Sequence, residues 1–107
     1  MVHFVITYAN AKHSRFDFDY YLNTHLPLGN RLLQDYGLVH WEVDRGQVNA
    51  RGEAPTFLCI TRLYFADAER MGAGFAAHGA ELKADMGNYT NVEPVFTLAE
   101  TVAKSAG

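Results

Sequence analysis

Residues 56–66 read TFLCITRLYFA, and this run restricts the fold more than any other part of the chain. It is rich in β-branched and aromatic residues and free of glycine and proline, a strand pattern. Successive side chains of a strand point to opposite faces, so Phe57, Cys59, Leu63 and Phe65 share one side while Leu58, Ile60 and Tyr64 share the other. A sheet with one wet face shows apolar and polar residues in alternation, and this strand does not. Residues 2–9, VHFVITYA, behave alike, with Val2, Phe4, Ile6 and Tyr8 opposed by Val5 and Ala9. A sheet built from these two strands needs cover on both faces.

The rest of the chain supplies that sheet with partners. Asp17 offers a helix cap, and Phe18, Tyr21, Leu22 and His25 fall on one stripe at i, i+3, i+4 and i+7. Pro27 lacks a backbone donor and drives the residue before it out of helical angles, which predicts a break there and a second helical piece from Leu28 to Tyr36, stopped by Gly37. Residues 38–48 read as a second strand with polar alternation, followed by the turn NARGEAP. Asp67 caps a second helix reaching about Lys83, weakened by Gly72, Gly74 and Gly79, of which Gly72 and Gly74 read as sites of close helix packing; the loop DMGNYTN follows, and residues 92–102, VEPVFTLAETV, form the fourth strand. Pro94 places that strand at an edge, or itself at the strand's start. The order βαββαβ with right-handed crossovers is the ferredoxin-like α+β fold, a four-stranded antiparallel sheet with both helices on one face. Its bare second face would exceed the apolar patch a monomer tolerates. A second copy packed sheet to sheet covers it, giving a homodimeric α/β barrel whose middle is solid or holds an apolar ligand.

Size and charge narrow the functions. A chain of 107 residues holds one core, here assigned to residues 1–102 with 103–107 as a flexible tail. With 49% hydrophobic and 20% charged residues it reads as a globular protein. No apolar run approaches the ~18 residues that span a bilayer, and MVHFVITYANAK has no basic stretch ahead of an apolar one, so it reads as the first strand of a cytoplasmic protein rather than a signal. No membrane partner is expected. Nine lysines and arginines scattered singly, and a net charge of −3, argue against nucleic acid. An RNA-binding module would share the element order, but TFLCITRLYF lacks the stacking signature.

His25 is the leading site candidate, an imidazole on an apolar stripe beside a proline, placed to act as acid or base in a cavity. Its bland alternative is a half-buried histidine bonded to a carbonyl that Pro27 leaves free. Tyr21 lies one turn earlier and can orient His25 or bind a substrate oxygen, and Asp85 and Asn88 form a second polar cluster before strand four. Trp41, with Val39 and Val43 on its side, reads as core that can also line a pocket, and Phe4 and Tyr64 are further candidates for contacting a ligand. No metal is expected: the five histidines include no i, i+4 pair, and only His78 and Glu81 share a face. The lone Cys59 reads as a buried hydrophobe. GAGFAA, residues 72–77, matches G-x-G-x-x-A, but Gly72 falls inside a capped helix where the dinucleotide fingerprint needs a strand end.

FDFDYYLNTHLPL at residues 16–28, together with LKADMGNYTNVEPVF at 82–96, resembles the EthD family, named for ethyl tert-butyl ether degradation. The matching positions are Tyr21, His25, Pro27, Asp85 and Asn88; the long turn after strand two and the glycine-rich second helix depart from the pattern. The resemblance implies a dimeric ferredoxin-like barrel and no settled reaction. The namesake accompanies a cytochrome P450 ether-cleaving system, and similar proteins include cyclases, decarboxylases, lactone isomerases and monooxygenases that use no cofactor, while others with this barrel handle haem or flavin-like ligands. Two functions follow. One is a cofactor-free enzyme for a small hydrophobic carbonyl, phenol or lactone, with His25 as base or acid and Tyr21 and Asp85 as its partners. The other is a non-catalytic binding or accessory protein for a hydrophobic intermediate.

Overall fold

A computed structural model of the chain describes residues 1–106. Strands β1 (Val2–Ala9), β2 (Leu38–Arg45), β3 (Phe57–Phe65) and β4 (Val95–Glu100) form one antiparallel sheet in the order β2-β3-β1-β4. The two most strand-like runs are its centre, and Pro94 immediately precedes β4 at one edge, where a missing donor is tolerated. The ferredoxin-like α+β arrangement expected from element order is present. Two strands are shorter than the sequence pattern suggested. Gly46 ends β2, because its backbone closes on Pro55 and Phe57 so tightly that no side chain would fit, and β4 starts only after Pro94.

The first helical arm, α1, begins with one α-turn, Phe18–Tyr20, capped by Asp17, whose carboxylate accepts the Tyr20 N–H at 3.1 Å. It does not break at Pro27. It widens into a π-helical stretch, Tyr21–His25, resumes as α-helix from Leu26 to Leu33, and closes with a 3-10 turn, Gln34–Tyr36. Leu26 keeps helical angles (φ −65°, ψ −42°) and its N–H reaches back to the Tyr21 carbonyl. The wide turn accommodates the proline ring that would crowd a normal α-turn, and Pro27 enters the first turn of the resumed helix, where its missing donor costs little. The same widening shifts the inward face: Tyr21 and Leu26 are buried, while Leu22, expected on the stripe, is exposed. Gly37 ends the arm at φ 82°, and its carbonyl accepts from Ala66 across the β2–β3 edge.

The second helix, α2 (Ala68–Asp85), is capped by Asp67 and continues into a 3-10 turn, Met86–Asn88. Asp85 and Asn88 therefore belong to a helix end rather than the loop expected from DMGNYTN. Of its glycines, Gly74 is the close contact between helices: a Cβ there would lie 2.8 Å from that of Tyr36. Gly72 faces open space, and Gly79 meets only its own helix at 3.9 Å. Helices and sheet enclose two connected packing groups. Tyr8, Tyr21, Leu26, Cys59 and Tyr89 form one, and Leu33, Leu63, Phe65 and Met71 the other. The second sheet face carries Val5, Leu58, Ile60 and Val95 on one side and His40, Glu42, Asp44 and Arg62 toward β2. Among the described residues no helix is long and apolar enough to cross a membrane.

Candidate functional site

Between the helices and the inner sheet face lies a cavity of about 240 Å³. It sits within one chain, under the helices, rather than between two sheets. Its walls are mostly apolar: Phe4 and Ile6 from β1, Leu26 and Leu33 from α1, Leu63 from β3, Phe75 from α2. Into them the fold sets His25 and a group of tyrosines. The π-helical stretch ends at His25 and aims its ring inward, against Tyr21 (centroids 5.4 Å apart, 15° between planes) and Tyr89 (4.6 Å). Tyr89 is fixed by the segment that follows α2. Its carbonyl accepts the Asp17 N–H at 2.7 Å, and Phe16 bridges Thr90 beside it. The start of α1 and the end of α2 are thus tied together at the site.

His25 Nδ1 lies 2.8 Å from Asp85 Oδ2, both side chains being largely buried (12% and 16% exposed). The other carboxylate oxygen, Oδ1, accepts from the Tyr20 hydroxyl at 2.7 Å and from Asn88 Nδ2 at 2.9 Å. Burial alone would raise the Asp85 pKa, but the bonds from His25, Tyr20 and Asn88 outweigh it and hold the carboxyl below its ordinary value. An ionised carboxylate can only accept, so the proton of this bond sits on Nδ1. Nε2, which makes no hydrogen bond among the described residues, is then left as the basic nitrogen for anything in the cavity.

The sequence candidates divide between these positions. His25, Tyr21, Trp41 and Phe4 line the cavity; Asp85 and Asn88 stand behind His25. The Tyr21 hydroxyl bonds Thr61 Oγ1 at 2.6 Å rather than His25, which it meets only by stacking. Trp41 is not core. It stands at the cavity rim on edge strand β2, 37% exposed, its indole N–H donating to Asn30 at 3.3 Å. Val39 does not share its side, because the pairing with β3 skips a residue between Leu38 and His40. Tyr64 lies on the opposite sheet face, between His3 and His40, and donates to Glu42 at 3.2 Å. Cys59 is fully buried, and burial pushes its thiol up to about 11. Among the described residues no group of three His, Cys, Asp or Glu side chains could hold a metal ion.

Four polar residues of the site escaped the sequence reading: Tyr8, Tyr20, Thr61 and Tyr89. Tyr8 and Tyr89, 81 positions apart, join hydroxyls at 2.8 Å in the cavity wall. Nothing local in the sequence marks them. Thr61 carried a usable signal, being the one polar residue in the inward row of β3.

Fold and site together define a ferredoxin-like α+β domain with a small apolar chamber and a histidine–aspartate pair in its wall. The EthD domain family profile matches residues 12–93, and the chain belongs to that family. An EthD-like protein from Ralstonia eutropha JMP134 is similar in structure at TM-score 0.90 with 28% identity, over 98% of this chain and 95% of that one. An EthD family protein from Bacillus halodurans C-125 gives 0.66 at 22% identity, over 95% and 99%. SnoaB, a cofactor-independent oxygenase from Streptomyces nogalater, gives 0.60 at 11%, over 98% and 95%, a likeness of fold. No curated protein sequence matches the chain.

Proposed function

We propose that this protein is a cofactor-free enzyme that moves a proton on a small hydrophobic carbonyl, phenol or lactone, working as a homodimer. The observation carrying this reading is the 2.8 Å bond between His25 Nδ1 and the ionised Asp85 at an otherwise apolar cavity. Asp85 fixes the imidazole tautomer, Nε2 accepts the substrate proton, and the carboxylate behind the ring stabilises the imidazolium that forms. The cavity is smaller than the 300–1,000 Å³ usual for drug-sized ligands, which suits a compound of one or two rings. SnoaB supports the reading in one respect: its description as a cofactor-independent oxygenase makes chemistry without a bound group one use of this fold.

The test is a panel of small aromatic ketones, phenols and lactones, ranked by thermal stabilisation of the protein and then assayed for turnover. His25→Ala is expected to abolish turnover while circular dichroism and sedimentation stay those of wild type. Turnover by the variant at the wild-type rate refutes the assignment. Tight capture of a compound without turnover, unchanged in His25→Gln, would replace it with a binding or accessory role.

A further inference from the structure

The cavity holds more hydroxyl protons than it has acceptors for them. Tyr8 and Tyr89 carry one O–H each, yet the 2.8 Å contact between them uses only one, whichever hydroxyl donates. Tyr8 also hydrogen-bonds Tyr21, so Tyr89, Tyr8, Tyr21 and Thr61 form one row in which four O–H groups share three contacts and one proton is left over. Tyr21 meets Thr61 at 2.6 Å, and the one outlet for the leftover proton within the row is the weak acceptor Cys59 Sγ, 3.8 Å from Thr61. Both pairs are buried in the cavity wall. Burial raises the pKa of Tyr8, Tyr21 and Tyr89, so all three remain neutral donors at any physiological pH. A surplus donor in a dry wall suits a ligand that brings an acceptor, and it bonds best to an oxygen that gains negative charge.

The position of the Tyr8–Tyr89 pair selects which oxygen. The Tyr89 ring lies 4.6 Å from the His25 ring, so the donor pair and the basic nitrogen share one wall. Tyr8 reaches the same place from β1, and both tyrosines belong to the cavity lining. We propose that the Tyr8–Tyr89 hydroxyl pair is the subsite for the substrate's carbonyl oxygen, and that the substrate is a small apolar carbonyl compound with an acidic C–H next to that carbonyl. The proposal rests on the assignment of His25 as base and narrows its substrate class. In the step it describes, His25 Nε2 takes the α-proton and the C–H bonding pair becomes the C=C bond of an enolate. The carbonyl π pair moves onto oxygen, where a tyrosine O–H meets it. Return of the proton to carbon completes an isomerisation or exchange, so no oxidant, reductant or further reactant is consumed.

Two probes separate the subsite from the base. 4-Nitrophenolate presents an oxyanion on a single ring, and 4-nitrotoluene is nearly the same shape without one. Wild-type protein is expected to bind the phenolate at least about tenfold more tightly than the toluene, as loss of a bond to a charged group implies. The Tyr8→Phe, Tyr89→Phe double variant should erase that preference while leaving 4-nitrotoluene affinity unchanged, and His25→Gln should keep it. The second probe is exchange of the α-hydrogens of 2-indanone in D2O, followed by NMR. Wild type should accelerate it, His25→Gln should not, and the double tyrosine variant should slow it about tenfold or more. Absence of the phenolate preference in wild type, or its survival in the double tyrosine variant, overturns the subsite. A tyrosine-dependent preference without any acceleration of exchange supports the subsite and refutes His25 as base. Exchange that depends on His25 but not on the tyrosines supports the base and overturns the subsite.

Discussion

The bond between His25 and Asp85 joins residues 60 positions apart and makes Asp85 the side chain through which the site and the stability of the fold are linked. A carboxylate whose pKa falls on folding stabilises the native state above its unfolded value and loses that contribution as pH drops through the folded one. Asp85 is such a group, held low against its own burial by three donors. Asp85→Asn is therefore expected to destabilise the protein by about 1–3 kcal/mol at pH 7. The gap to wild type should close as pH is lowered below about 4. Urea unfolding of both proteins at pH 7 and pH 3 measures it, and a gap that stays constant would mean the carboxylate is not held low. Cys59 gives a second check at this scale. Its thiol is fully buried and shifted to about 11, so Ellman's reagent should not react with the native protein at pH 8 but should titrate one thiol once it is unfolded. These residues differ in how far the sequence reveals them. His25 stands out because an imidazole beside a proline on an apolar stripe is a local pattern. The Tyr8–Tyr89 pair rests on a contact 81 residues long, and tyrosines in strands look like packing wherever they fall.

At the scale of elements, two glycines of α2 that look alike in sequence should respond oppositely to alanine. Gly74 leaves no room: a Cβ would meet Tyr36 at 2.8 Å and Leu33 at 3.1 Å, atoms held by the α1–α2 contact. Gly74→Ala is expected to cost about 1–3 kcal/mol through that overlap. Gly72 has nothing within 4 Å on an exposed helix turn, so Gly72→Ala should stabilise by about 0.5–1 kcal/mol, because alanine loses less backbone entropy on folding. Thermal melts of both variants read the difference in sign. Reading both Gly72 and Gly74 as close contacts held for Gly74 and failed for Gly72, because the sequence shows that a side chain is missing but not what stands opposite. Pro27 failed in a related way. A proline rule applies to a regular α-turn, and the chain instead uses the wider π-turn from Tyr21 to His25, which lets the proline stay in a continuous arm and swings Leu22 outward. Element order, the inward and outward rows of β1 and β3 and the caps at Asp17 and Asp67 were legible because each depends on short-range alternation or one side-chain bond.

The whole molecule leaves apolar surface that a single chain of this size does not cover. On the sheet face away from the helices, Val95 of edge strand β4 is 60% exposed and Ile60 of β3 stands in register with Thr7, the β1 partner of Val95, while Phe96 and Leu98, 51% and 58% exposed, pair with Ile6 and Phe4 and open on the helix side. The β2 side of that face is charged, with Arg62 bonded to Asp44 at 2.6 Å and Tyr64 to Glu42. An apolar strip bordered by charges is the anatomy of an interface with a polar rim, and Val5, Leu58 and Ile60 within it belong to β1 and β3, the two strands whose two-sided pattern first called for cover. A second copy supplies a matching strip, since a two-fold interface places the same patch on both partners. Sedimentation of the wild-type protein at micromolar concentration should give about twice the chain mass. Ile60→Lys, which sets a charge in the middle of the strip on the face away from the cavity, should shift the protein to the single-chain mass with the far-UV spectrum unchanged, because its side chain contacts neither the helices nor the site. If wild type already sediments as one chain, the strip needs another occupant, and the homodimer is refuted while the cavity and its His25–Asp85 pair stand as described.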